Sequence, residues 1–82
     1  MDDIQIKEAI RNTLSVVFEI PEEDVTEESS TDSIENWDSI RHLNLIIALE
    51  EQFGVSIPDD DVGNMLNFKI IKIVISEAIN GK

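Results

Sequence analysis

The residues of this chain best placed to do chemistry are a serine and its neighbours, Trp37-Asp38-Ser39-Ile40. Ser39 falls where a long acidic loop gives way to an apolar run at helical spacing, Ile40 to Phe53. A hydroxyl at a helix start sits at the positive end of the helix dipole. Unpaired backbone N–H groups there favour a negatively charged adduct. A serine nucleophile also needs an adjacent base held by a third group. His42 is the only histidine, and it lies three residues further along the same helix. Ser39 therefore reads as a point of attachment, and no catalytic residue is assigned.

Two neighbours frame that serine. Asp38 has the chemistry of an N-cap, its carboxylate accepting from the free N–H groups of the first turn. Trp37 is then the residue before the cap and His42 the fourth within the helix, the pair that staples a helix start. His42 could be read as a catalytic base, but its inward place on the helical wheel favours the staple.

At about 100° per residue, Leu45, Ile46, Leu49 and Phe53 form one arc of this helix. Ile40, Leu43 and Ile47 form a second, bordered by Asn44, Glu50 and Glu51. Leu43 and Ile47 could complete the core beneath a neighbouring helix. The polar border instead favours an exposed strip, which is what a docking helix beside a modifiable serine requires. Ile40, Leu43, Ile47, Glu50 and Glu51 are thus the expected partner-binding residues.

Other elements must hold this helix in place. Asp2 or Asp3 can cap a first helix ending near Phe18, with Ile6, Ala9, Ile10, Leu14, Val17 and Phe18 at helical spacing. Ile20-Pro21 stops it. The segment from Glu19 to Asp38 holds nine acids (Glu19, Glu22, Glu23, Asp24, Glu27, Glu28, Asp32, Glu35, Asp38) and no base. A loop that long in a small domain is functional or disordered. Ile20, Val25 and Ile34 are spaced as anchors and predict order, while Ser29, Ser30 and Thr31 predict local turns. Gly54 ends the Ser39 helix. Asp59 to Leu66 predicts a short helical turn weakened by Gly63. Asn67 can cap a last helix running to Asn80-Gly81, with Phe68, Ile71, Val74, Ile75 and Ala78 buried. The fold class is all-α: a small four-helix bundle of three longer helices and one short one, in one domain over residues 1–82.

Composition narrows the function. Eighteen Asp and Glu against six Lys and Arg give a net charge of −12 over 82 residues. Such a surface repels nucleic acid and anionic membranes, and it can steer association with basic proteins. Without cysteine there is no disulfide, thiolate metal site or thiol catalysis, so any thioester sulfur must come from a prosthetic group. Met1-Asp2-Asp3 does not begin a signal peptide and no apolar run spans a bilayer, so a cytoplasmic protein without membrane insertion is expected. Asp59-Asp60-Asp61 with Gly63 resembles a calcium loop, but glycine comes one position early and Ile70 stands where a bidentate glutamate belongs. It reads as a helix start, and no metal site is assigned.

With these residues in view, the chain resembles the acyl carrier proteins over nearly its whole length. Asp38-Ser39-Ile40 is a conservative form of the family's Asp-Ser-Leu. Ala48-Leu49-Glu50-Glu51-Gln52-Phe53 and Ile57-Pro58-Asp59-Asp60 are similar to its helix end and following loop. The resemblance implies that Ser39 accepts 4′-phosphopantetheine from coenzyme A through a phosphopantetheinyl transferase, with Asp38 helping to position it. The arm's thiol would carry an acyl or aminoacyl group as a thioester, loaded by a ligase and delivered to acyl-transferring or synthase enzymes. It also implies apolar partner contacts at Leu43 and Ile47 and acidic ones at Glu50 and Glu51. The protein is expected to act as a monomer. Arg41 and Asn44 stand where fatty-acid-synthesis carriers usually show acids, and Trp37 replaces a small residue. Glu35-Asn36-Trp37-Asp38-Ser39 with His42-Leu43-Asn44-Leu45 looks more like specialised, stand-alone carriers outside that pathway. The alternative is an unmodified acidic interaction domain, an adaptor or inhibitor of the same shape. An enzyme stands third, since no residues are found to carry turnover.

Overall fold

The computed structural model describes residues 2–81, which fold into four helices in chain order. These are α1 (Asp3–Phe18), α2 (Ser39–Phe53), α3 (Asp59–Val62) and α4 (Phe68–Ile79). The expected all-α bundle of three longer helices and one short one is what forms.

Local chemistry sets each boundary. Asp2 caps α1 in a reciprocal box: the Gln5 N–H donates to Asp2 Oδ1 at 2.8 Å, and the Asp2 N–H to Gln5 Oε1 at 3.2 Å. Asp3 is then in the first turn, where a negative charge suits the helix dipole.

α1 ends at Phe18, as expected, but not by the expected Ile20-Pro21 stop. Glu19 turns the chain before Pro21 is reached, in the left-handed region at φ 58°. Tertiary contacts hold that conformation without glycine. The α1 carbonyls freed at the turn receive two side-chain donors from further along the chain. Asn36 Nδ2 donates to Phe18 O at 3.1 Å, and an Arg41 guanidinium N–H donates to Val17 O at 2.8 Å. Pro21 instead precedes a 3-10 turn, Glu22–Asp24.

The acidic loop is ordered by its apolar residues, as their spacing predicts. Val25 and Ile34 are buried and Ile20 half-buried against the core. Ser29 is buried too, its Oγ accepting from the Thr26 N–H at 2.9 Å. The loop is joined to the start of α4 by an antiparallel bridge between Ser30 and Asn67. There the Phe68 N–H donates to Ser29 O at 2.9 Å and the Thr31 N–H to Leu66 O at 3.1 Å.

The core is one cluster. Ile6, Ile10, Leu14 and Phe18 of α1 meet Leu45, Ile46 and Leu49 of α2 and Phe68, Ile71, Val74 and Ile75 of α4. Each such side chain contributes about 1.5–3 kcal/mol when fully buried. Met65, fully buried between α3 and α4, completes the cluster; no periodicity in the sequence marks it. The short helix is tighter than the span from Asp59 to Leu66. It ends at Gly63, whose φ of −70° is right-handed, with Asp59, Asp60 and Asp61 in its first turn.

Candidate functional site

Ser39 is the first residue of α2, and its neighbours are arranged as their types predict. Asp38 has extended backbone, and its Oδ1 accepts the Arg41 N–H at 2.8 Å. Asp38 and Ser39 are both exposed. Among the described residues no protein group hydrogen-bonds the Ser39 hydroxyl, so it is free to react. The first-turn N–H groups of α2 leave a positive dipole end beside it.

Trp37 anchors the chain just before the site. It is only 9% exposed, and its ring packs on Phe18 with centroids 4.9 Å apart at 38°. Its indole N–H donates to His42 Nδ1 at 2.9 Å. The predicted pairing of Trp37 with His42 across the helix start is therefore present, but as a hydrogen bond between parallel-leaning rings rather than an apolar staple. On its other side His42 Nε2 lies 2.7 Å from Val62 O, at the end of α3.

An open groove runs beside Ser39. Thr31, Trp37, Ser39, His42, Leu43 and Leu66 line it, enclosing about 390 Å³. That volume is near the lower end of the range for small-molecule sites, roughly 300–1,000 Å³. Trp37, Leu43 and Leu66 give the wall its apolar part, and Thr31, Asp38, Ser39 and His42 are its polar points.

The two arcs of α2 separate as the wheel requires. Leu45, Ile46 and Leu49 are buried, while Ile40, Leu43 and Ile47 are 72%, 58% and 55% exposed. They are not covered by α3. Leu66, 44% exposed, adds an apolar residue across the groove that the sequence reading did not single out.

The flanking charges differ in their engagement. Glu51 is exposed. Glu50 is half-buried, and its Oε2 accepts the Ile57 N–H at 2.8 Å, fixing the chain that leaves α2. Arg41 turns away from the apolar strip toward the end of α1, with a guanidinium nitrogen 3.8 Å from Glu19. The capping roles of Arg41 and Asn36 escape sequence reasoning, because they join residues 18 to 24 positions apart.

A carboxyl with a displaced pKa, that of Asp3, is remote from this site. Asp3 lies at the opposite end of α1. A hydrogen bond from Lys72, with the charges of Lys72 and Lys7, holds it below the usual carboxylate value despite partial desolvation.

Residues 8–66 match the family described as "Phosphopantetheine attachment site". The chain is 32% identical over 76 residues to the polyketide-8 synthase acyl carrier protein 1 of Streptomyces avermitilis, covering 93% of this chain and 90% of that one. It is 36% identical over 82 residues to an acyl carrier protein of Thermosynechococcus vestitus, covering 100% of this chain and 96% of the relative. An acyl carrier protein of Acidothermus cellulolyticus shares 36% identity over 61 residues, 74% of this chain and 73% of its own. The fold and these matches define a phosphopantetheine-bearing carrier. The chain belongs to the acyl carrier protein family.

It is thus a carrier and not an enzyme, and its prosthetic group is 4′-phosphopantetheine. The residues around α2's start fit that group. A phosphodiester on Ser39 would face the free amides of α2, and the groove's apolar wall suits an uncharged arm. Asp38 brings a negative charge close by, but one of its oxygens is engaged by the Arg41 amide.

Proposed function

We propose that Ser39 is the residue that bears the arm. The supporting observation is an exposed hydroxyl, unpaired with protein, on the first residue of α2 and beside a groove. In the loading step the Ser39 oxygen forms a new bond to the pantetheine-side phosphorus of coenzyme A. The pyrophosphate P–O bond breaks, adenosine 3′,5′-bisphosphate departs, and the serine proton passes to a base on the transferase. Asp38 holds Ser39 in place by capping the helix. When bound, the arm supplies a terminal thiol that carries the cargo as a thioester.

The surface read by partner enzymes is Ile40, Leu43 and Ile47, flanked by Glu51 and the remaining free oxygen of Glu50. Those partners are the transferase, a ligase that loads an acyl or aminoacyl group, and the enzymes that receive it. Arg41, drawn back onto α1, and the neutral Asn44 make the strip's start less acidic, which supports a carrier of a specialised pathway. We place it in the cytoplasm, where coenzyme A is available, acting as a monomer.

The test is intact-protein mass after incubation with coenzyme A, Mg²⁺ and a broad-specificity phosphopantetheinyl transferase. Wild type is expected to gain one phosphopantetheine mass and Ser39→Ala none, with its fold kept, since an exposed serine at this position is cheaply replaced. Loading of the alanine variant would move the attachment elsewhere. A folded wild type with a free serine that several transferases leave unchanged would favour the unmodified adaptor.

A further inference from the structure

We propose that His42 is a positioning residue for the loading of Ser39, acting through Trp37 on one side and α3 on the other. This rests on Ser39 as the attachment residue.

The inference begins with donors and acceptors. An indole N–H can only donate, and a backbone carbonyl can only accept. His42 lies between one of each, with Nδ1 2.9 Å from Trp37 Nε1 and Nε2 2.7 Å from Val62 O. Both contacts are satisfied by a single tautomer, with the proton on Nε2 and the lone pair on Nδ1. The ring therefore ties three segments together: the loop that delivers Ser39, the second turn of α2, and the end of α3.

Each tie meets a need on its far side. Trp37 is almost wholly buried against Phe18, and an unpaired buried N–H is unfavourable. Trp37 lies two residues before Ser39, so its anchorage fixes the backbone that presents the hydroxyl. α3 has only four residues, Asp59–Val62, too few to satisfy its own last carbonyls. The competing bond to Val62 O, from the Met65 N–H, is long at 3.4 Å. His42 thus completes the end of α3 and holds it across the groove from Ser39, where Trp37, His42 and Ser39 all line the same opening.

A transferase must bring its reacting phosphorus within bonding reach of one oxygen, and small misplacements of such a group are expensive in rate. Of the docking strip, Ile40 and Ile47 lie outside this groove and Leu43 lines it, and none of the three is a hydrogen-bond partner of His42. Loss of the tie should therefore lower the transferase's kcat for this carrier and leave KM nearly unchanged.

The experiment measures loading of wild type, His42→Ala, His42→Gln and Trp37→Phe by intact mass over a range of carrier concentrations. The core variant Ile71→Val, with its melting point measured alongside, serves as a control for stability. Trp37 is the only tryptophan, so its fluorescence and its indole N–H resonance report the tie directly and without any loading. His42→Ala is expected to shift the indole resonance and to lower kcat on the order of tenfold. Glutamine carries an acceptor and a donor on one planar group, so His42→Gln is expected to recover most of the rate. Trp37→Phe should slow loading, and combining it with His42→Ala should add little.

A purely structural role gives a different result. Partial unfolding removes competent carrier, which raises apparent KM and leaves kcat unaltered, as Ile71→Val should do if it does anything. That pattern in His42→Ala, or a folded His42→Ala that loads at the wild-type kcat, overturns the proposal and leaves Ser39 loading intact. A wild type that is never loaded overturns the attachment reading itself and this inference with it. Should His42→Ala fail to fold, Trp37→Phe decides: a lowered kcat supports the proposal, and the full wild-type kcat overturns it.

Discussion

Asp38 does two things with one carboxylate. It satisfies the Arg41 amide, and it fixes the turn from which Ser39 emerges. Replacing a capping Asp by alanine typically removes about 1 kcal/mol. In a domain of this size that corresponds to a melting point lower by about 4–8 °C. Asp38→Ala should therefore melt within that interval below wild type by circular dichroism. A melting point equal to wild type would mean that the cap contributes nothing and that water serves the amide equally well. Asp38 and Ser39 were legible in the sequence because a helix start is a local event, written in adjacent residues. The partners of His42 were only half legible. The spacing that pairs it with Trp37 is a property of one helix, whereas Val62 is brought to it by the bundle.

Among the elements, α2 and α4 were read closely because caps, stripes and stops agree in each. Asp38 and Gly54 bound α2, Asn67 caps α4 with its Oδ1 on the Ile70 amide, and the buried residues follow one face. The end of α1 at Phe18 was legible in position, but the turn that makes it was not. Proline gave the expected stop, yet Glu19 reverses the chain first, in a conformation that local preference assigns to glycine. Beside local bonds between Ser15 and Ile20, its support comes from Asn36 and Arg41, far along the chain, and distant hydrogen bonds leave no periodic trace. Met65 was missed for a related reason: one buried residue in a short connection has no pattern around it. The strain at Glu19 makes a prediction. Glu19→Gly relieves a left-handed conformation worth roughly 1–2 kcal/mol. It gives back part of this through the greater freedom of glycine in the unfolded chain, roughly 0.4–1 kcal/mol. It also removes an exposed ion pair with Arg41 of small value. The net expectation is a gain of about 0.5–1 kcal/mol, read as a higher urea midpoint with an unchanged slope. A lower midpoint would show that the Glu19 side chain contributes more than its backbone strain takes away.

For the whole molecule, charge is the dominant property, and its consequences for folding and for association run in opposite directions. At −12 the folded chain holds acids closer together than the unfolded one does, so self-repulsion weakens the compact state. Salt screens that repulsion over about 10 Å at 0.1 M. The same screening weakens long-range attraction to a basic partner surface. Raising salt should therefore raise the melting point while slowing association with the transferase, whose dissociation changes less. A rate constant for association that does not respond to salt would leave the apolar strip of Ile40, Leu43 and Ile47 as the main determinant of docking. Acid separates the global effect from a local one. Protonating carboxylates relieves repulsion everywhere, but it also dissolves the pairing of Asp3 with Lys72 and Lys7 that links α1 to α4. Asp3 titrates below its usual value of 3.8 in the folded state. Its stabilising contribution is accordingly complete above that value and disappears as pH falls through the lower folded-state one. Melting wild type and Asp3→Asn side by side isolates this contribution from the shared background. The gap between them should be constant from neutral pH down to about 4 and should close in stronger acid. A gap that persists unchanged in strong acid would assign Asp3's effect to its place at the helix start rather than to its charge.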